Sequence, residues 1–184
     1  MPDAPDPRLN TAPRLADAAF LLQHPAHLIA LGGGSGLSPK APGTAGTLWA
    51  WATFALLQPW LTERQWGWLV AAAVPIGWWA CSVTARALRQ QDPSCVVWDE
   101  IGAFWLVLWL VSPSSFTAQL AAFALFRLFD AVKPGPVGWA DRLFHRVDPQ
   151  SDRAAWAKAG LGIMLDDYVA AFCTLLVVAL WRSW

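Results

Sequence analysis

Lys40 and Glu63 enclose 22 consecutive residues without Asp, Glu, Lys or Arg, and Arg64 and Arg86 enclose 21. Crossing roughly 30 Å of hydrocarbon takes about 20 apolar residues as an α-helix, so each run is long enough to span a membrane. A third run, between Glu100 and Arg127, has 26 residues, but Ser112-Pro113-Ser114-Ser115 divides it into two apolar halves of 11 residues each. That interruption predicts a helical hairpin. Only 14 uncharged residues separate Asp167 from Arg182, so the last span must begin upstream and carry Asp166 and Asp167 inside its first turns. With 56% hydrophobic and 14% charged residues, the composition lies on the membrane side of the soluble range. Many of the 14 tryptophans fall near segment ends (Trp49, Trp51, Trp60, Trp66, Trp68, Trp109, Trp181, Trp184), where indole rings favour the bilayer interface.

These runs predict an all-α, multihelical membrane-embedded bundle of about five helices, near 46–61, 65–89, 97–111, 116–131 and 160–181, with a Gly-rich loop before the first. The length favours one domain, 18–184, behind a Pro-rich, polar and flexible N-terminal arm, 1–17. That arm has no basic region ahead of an apolar stretch and does not read as a cleavable signal. The apolar patch Ala18–Leu31, broken by His24-Pro25, suits a position along the interface. Zero formal net charge leaves no nucleic-acid footprint, and three scattered cysteines (Cys81, Cys95, Cys173) make no disulfide framework. No feature specifies an oligomeric state. If the segments alternate across the bilayer, Arg8, Arg14, Lys40, Arg86, Arg89, Lys133, Arg142, Arg146, Arg153 and Lys158 share one side, against Arg64 and Arg182 on the other. The positive-inside bias assigns the first side to the cytoplasm.

Asp99, Glu100, Asp130, Asp166 and Asp167 all fall at helix ends on that same face. Carboxylates at the edge of apolar helices are costly to desolvate and repel one another unless a cation sits among them; hard oxygen ligands select Mg²⁺ or a related ion, which favours phosphate oxygens as further ligands. Arg127 and Lys133 flank Asp130 by three residues on either side, offering a planar fork and a point charge to phosphate. The stretch Gly32–Thr47, GGGSGLSPKAPGTAGT, feeds a helix start with Thr44 or Thr47 as expected N-cap, a suitable place for an anion, although it is neither a P-loop nor a dinucleotide fingerprint. No cysteine begins a phosphatase-type Cys-x5-Arg loop, and His24, His27 and His145 are better read as structural or solvated than as zinc ligands. A metal-activated water, or a carboxylate acting as base, is then the expected attacking chemistry at phosphorus.

Four stretches in order, GSGLSPKAPGTAGT (34–47), DPSCVVWDEIGAFW (92–105), FRLFDAVKPGP (126–136) and GLGIMLDD (160–167), resemble the phosphatidylglycerophosphatase A family of bacterial lipid phosphatases. The resemblance implies a phosphoric monoester hydrolase of the bacterial inner membrane, multi-pass, with its site facing the cytoplasm. It would convert phosphatidylglycerophosphate to phosphatidylglycerol and inorganic phosphate with Mg²⁺. By position, the family's acidic residues fall on Asp99, Glu100, Asp130, Asp166 and Asp167, implied as catalytic and metal-holding. Its basic residues fall on Arg127 and Lys133, and its loop on Gly43, Thr44 and Gly46, implied as substrate-binding; Asp92 matches as well. Gly135 stands where the family usually has Trp, and Ala159 replaces a usual Gly, but neither departure removes a carboxylate or a base. The alternative is a small cation- or proton-coupled transporter built on the same carboxylates. A non-enzymatic membrane partner would instead tolerate Asp→Asn changes, and no DGxxAR run points to a lipid phosphotransferase.

Overall fold

The computed structural model describes residues 14–143 and 154–183. Among them every regular element is helical: α1 (Ala18–Leu21), α2 (Pro25–Ala30), a 3-10 segment (Gly32–Leu37), α3 (Pro42–Leu57), α4 (Glu63–Leu88), α5 (Trp98–Val111), α6 (Phe116–Val132), α7 (Pro136–Leu143) and α8 (Ala155–Arg182). The all-α class stands, but these are nine helical elements rather than about five. The long helices α3 to α6 and α8 overlie the five expected segments. His24-Pro25 does break the first apolar patch: His24 caps α2 by accepting from the Ala26 amide at 3.0 Å, and Pro25 occupies the first turn, where its missing N–H costs nothing. The Gly-rich stretch is not an open loop. Gly32, Gly33 and Gly34 adopt φ of 55°, 65° and 110°, which lets the chain coil tightly through Gly32–Leu37 before α3.

Two boundaries move for identifiable reasons. Helix α3 starts at Pro42, with Ala41 as its N-cap and no side-chain capping bond, instead of at Thr44 or Thr47. Helix α8 starts at Ala155, so Asp166 and Asp167 lie several turns inside it and not in its first turns. Elsewhere the capping is conventional. Thr62 and Gln65 form a reciprocal box at the head of α4, and Ser115 accepts from the Ala118 amide to start α6 after the Ser-Pro-Ser-Ser turn.

Helix α5 is the axis of the bundle, packed against α3, α4, α6 and α8. Ile101, Phe104, Val107, Leu108 and Val111 on it are essentially inaccessible. Two tryptophans of the core have their polar tips satisfied, Trp105 Nε1 donating to Ala50 O at 3.0 Å and Trp98 Nε1 to Ala73 O at 3.0 Å, whereas Trp66 Nε1 is buried without a partner. Trp66, expected at the interface, is instead 2% exposed with its ring tilted against that of Phe54, whereas Trp49, Trp60, Trp68 and Trp181 do face outward. Gly77 permits a close approach within the core, since a Cβ there would meet Trp98 Nε1 at 2.6 Å and Met164 Sδ at 2.7 Å.

The outside carries a belt of exposed apolar side chains on four helices, among them Leu56, Trp68, Ile76, Leu120, Phe172 and Leu176. Such a surface is unstable against water and suits lipid. Helices α4 and α8, with 26 and 28 residues, are long and apolar enough to cross a membrane. The remaining long helices have 16, 14 and 17 residues and reach only about 21 to 26 Å at ~1.5 Å per residue. At the end away from the acidic residues, Arg182 donates to Val111 O at 2.6 Å, tying the finish of α8 to the finish of α5.

Candidate active site

The first turn of α5, the last turn of α6, the head of α3, the interior of α8 and the 91–96 connection converge on one cavity of about 350 Å³. Its lining includes Gly43, Asp92, Asp99, Glu100, Arg127, Asp130, Lys133, Asp141, Asp166 and Asp167. All five expected carboxylates and both expected bases are thus brought together, from positions as far apart as 99 and 167. Asp99 and Glu100 stand at the N-terminal end of α5, where the helix dipole favours negative charge.

The five carboxylates divide into two groups. Asp130 and Asp166 are paired: Asp130 Oδ2 lies 2.7 Å from Arg127 Nη1, one helical turn away on α6, and Asp166 Oδ2 accepts from Lys133 Nζ at 2.5 Å. Asp99, Glu100 and Asp167 are the other group. They are 7%, 9% and 3% exposed, and each presents an oxygen within 4.8 Å of the others'. Each also retains a fully buried oxygen (Asp99 Oδ1, Glu100 Oε2, Asp167 Oδ1) with no hydrogen-bond partner. Buried carboxylate oxygens without donors are expensive, and three together are more so; a hard divalent cation among them removes both costs. Adjacent side chains on a helix point about 100° apart, which is how Asp166 meets Lys133 while Asp167 meets α5.

Arg127 is held by three partners. Besides Asp130, its Nη1 lies 3.8 Å from Glu100 Oε1 and donates to Thr47 Oγ1 at 3.3 Å. Thr47 is fully buried and its hydroxyl donates to Gly43 O at 2.9 Å, so α3 supports the guanidinium from beneath. Lys133 closes α6 with φ of 47° and bridges Asp166 and Asp141. Burial alone would lower its pKa, but the hydrogen bonds it donates to Asp141 and Asp166 outweigh that and hold the ammonium above its ordinary value, so it stays charged.

Of the three expected loop residues, Gly43 alone lines the cavity. Gly46 is buried against Val97, where a Cβ would lie 2.7 Å from Val97 Cβ, and Thr44 is outside the lining. Gly43 is where the loop comes closest to the charges: a Cβ there would collide with Glu100 Oε1 and lie 3.2 Å from Arg127 Nη2. Gly43→Ala is therefore expected to displace Glu100 and lower kcat by roughly 10- to 100-fold with the helical content unchanged, checked by steady-state kinetics and circular dichroism. Thr47 and Asp141 join the site unexpected from sequence. Thr47 reads there only as a cap, and Asp141 lies in α7, within what reads as one long polar connection. Ala159 lines the cavity, while Gly135, with φ of 49°, has open space about its Cα. His24 caps α2 and His27 bonds Thr84, both away from the cavity; His145, Arg8, Arg146 and Arg153 lie outside the described residues.

Comparison with known proteins shows the family of the chain. The model of the family described as Phosphatidylglycerophosphatase A matches residues 28–182. Phosphatidylglycerophosphatase A of Escherichia coli (strain K12) is 35% identical over 165 residues, 88% of each chain. Phosphatidylglycerophosphatase A of Haemophilus influenzae is 34% identical over 163 residues, 89% of this chain and 92% of that one. A Bacteroides thetaiotaomicron protein named "Putative phosphatidylinositol-3-phosphatase" is 36% identical over 163 residues, 84% of this chain and 92% of that one. No solved structure matches. Nothing in these relatives supports a transporter.

Proposed function

This chain belongs to the phosphatidylglycerophosphatase A family, and from that premise we propose that it hydrolyses the terminal phosphomonoester of phosphatidylglycerophosphate with the help of Mg²⁺, as a multi-pass protein of the bacterial inner membrane. The observation that carries the reading is the group of three buried carboxylates with unpartnered oxygens beside Arg127 and Lys133. A phosphomonoester needs cations around it, and a site with this much fixed negative charge can receive one only if a metal joins the two bases. The orientation is supported by charge: Arg14, Lys40, Arg86, Arg89, Lys133, Arg142 and Lys158 lie toward the cavity end, against Arg64 and Arg182 at the other.

Asp99, Glu100 and Asp167 would hold the ion. When bound, Mg²⁺ supplies Lewis-acid stabilisation of the charge that develops on the phosphoryl oxygens. Arg127 offers its fork to two of those oxygens, and Lys133 offers a point charge to a third. Asp130 and Asp166 keep the two bases aimed into the cavity, with Thr47 and Asp141 behind them. A cavity carboxylate takes the proton of the attacking water as its oxygen bonds to phosphorus. The bond from phosphorus to the glycerol oxygen breaks, and a proton on that oxygen completes phosphatidylglycerol, leaving inorganic phosphate. Charge stabilisation by prearranged groups in a partly dry cavity supplies most of the rate.

The test is phosphate release in detergent micelles from phosphatidylglycerophosphate and, separately, from phosphatidylinositol 3-phosphate, with Mg²⁺ and with chelator. Mg²⁺-dependent release from the glycerol lipid, greatly reduced in Asp166→Asn, is the expected result. Absence of release from both lipids by folded, metal-supplied protein would overturn the assignment, and preference for the inositol lipid would overturn the substrate.

A further inference from the structure

On the side of α4 facing α2, away from the catalytic cavity, lies a second concentration of charge, of the opposite sign. The small residues Ala26 and Ala30 of α2 are fully buried in one cluster with Ala80 and Ala85 of α4, so the two helices pack closely. His27 Nδ1 and Thr84 Oγ1 are hydrogen-bonded at 3.1 Å, and the His27 ring stacks on Phe20 with centroids 4.1 Å apart. The chain entering α1 is fastened to the same end of α4: Arg14 N donates to Leu88 O at 3.0 Å, and Gln90 Nε2 donates to Arg14 O at 3.0 Å. The result is a groove of about 390 Å³ whose ionisable lining residues, among those described, are all basic: Arg14, His24, His27, Arg86 and Arg89. Like charges gathered on one surface raise the local potential and favour an anion.

The surroundings say which anion. Leu15 and Leu22 beside the groove are 91% and 79% exposed, and Leu28 on α2 is 43% exposed. The ring of Trp79, itself 44% exposed, has its centroid 5.9 Å from that of His24. Trp79 precedes Arg86 by seven residues on α4, about 10 Å along the axis at ~1.5 Å per residue. An outward indole at that spacing below a guanidinium, with apolar side chains alongside, is the profile of a surface at the level of lipid phosphates. We propose that this groove is a second lipid site, which holds the phosphodiester headgroup of an anionic phospholipid and fastens α1 and α2 to the inner leaflet. The inference rests on the membrane reading given above. No carboxylate lines the groove among the described residues, so it offers no hard oxygen ligands for Mg²⁺ and binds without hydrolysing.

The experiment uses the full chain in liposomes with trace spin-labelled phosphatidylserine or phosphatidylcholine, reading the motionally restricted fraction of each by electron spin resonance. Wild type is expected to favour the anionic lipid by about threefold or more, because basic side chains at the surface attract anionic headgroups. Arg14→Gln/Arg86→Gln should bring the ratio near one, and Arg14→Lys/Arg86→Lys should preserve it because charge suffices. Equal ratios in wild type, or undiminished selectivity in the Gln variant, would overturn the site. Displacement of the lipid by inorganic phosphate, beyond chloride at matched ionic strength, would show a soluble-anion site and overturn the lipid assignment. Phosphate release in neutral detergent is expected to be unchanged in the Gln variant, which keeps failure of this site distinct from failure of the catalytic one. Should the Gln variant not fold, Leu22→Glu, on an exposed side chain beside the groove, supplies the same comparison: reduced selectivity supports the site and unchanged selectivity overturns it.

Discussion

Asp167→Asn is expected to lower kcat by about 10²- to 10³-fold and, in metal-free buffer, to make the protein more stable. Asp167 is 3% exposed, has a buried oxygen with no partner, and lies against two further carboxylates. An amide keeps its shape and removes one of three mutually repelling charges, a gain of about 1 to 3 kcal/mol, the typical cost of an unsatisfied buried polar group. On the proposed function the same change removes a holder of the metal, and loss of one preorganised electrostatic partner typically lowers kcat by about 10²- to 10³-fold. Thermal melts of the detergent-solubilised protein read the stability, and phosphate release reads the turnover. Mg²⁺ should raise the wild-type midpoint, since a ligand at 100 times its Kd stabilises by roughly 2.7 kcal/mol, and should raise that of the variant much less. A variant that melts lower in chelator and gains as much from Mg²⁺ as wild type would remove Asp167 from the metal site.

Arg127→Lys is expected to be nearly as damaging as Arg127→Met. One guanidinium spans Asp130 at 2.7 Å, Thr47 at 3.3 Å and Glu100 at 3.8 Å, separated in direction as well as distance. A lysine ammonium keeps the charge but cannot hold that geometry and still face phosphate. The loss in kcat/KM should be about 10²-fold for Lys and about 10³-fold for Met, as for other preorganised donors to a developing oxyanion. Met should in addition destabilise by roughly 3 kcal/mol, because the buried Glu100 and the part-buried Asp130 are left without their counter-charge. Thr47→Val, which removes only the support, should cost a few-fold in kcat. Near-normal turnover in Arg127→Lys would mean that the residue neutralises its neighbours and does not bind phosphate.

The long helices were legible in the sequence because charge-free runs and turn residues mark them directly, as at Ser112–Ser115. The short ones were not. Only Val137 and Ala140 of α7 are buried, too little apolar patterning to distinguish it from a polar connection. Boundaries slipped where small residues replaced large apolar ones: α3 begins through Pro42-Gly43-Thr44 and α8 through Ala155 to Gly160, stretches with little hydrophobic contrast. Seven of the nine charged residues that line the cavity, five carboxylates and two bases, could be found from sequence, since charge beside an apolar run is conspicuous. Their division into a paired and an unpartnered group could not, because it depends on which way Asp166 and Asp167 face across three other helices. Thr47 was invisible for the same reason, its partner being 80 positions away.

The lengths of the helices have a consequence for the bilayer itself. From Arg182, which meets the end of α5, back to Asp167 is only 15 residues, about 22 Å at ~1.5 Å per residue, and α5 covers the same depth. On the multi-pass reading, with those ends at the outer boundary, the carboxylates stop several ångströms short of the inner boundary of a core roughly 30 Å thick. The first turns of α8 and the last of α4 continue past them. On that reading the protein carries a notch sunk into the inner leaflet, and a headgroup would reach it by dipping sideways from the lipid surface while its acyl chains remain solvated by their neighbours. What governs encounter is then the substrate's areal density in the leaflet, and dilution with inert lipid should slow the reaction where dilution with water does not.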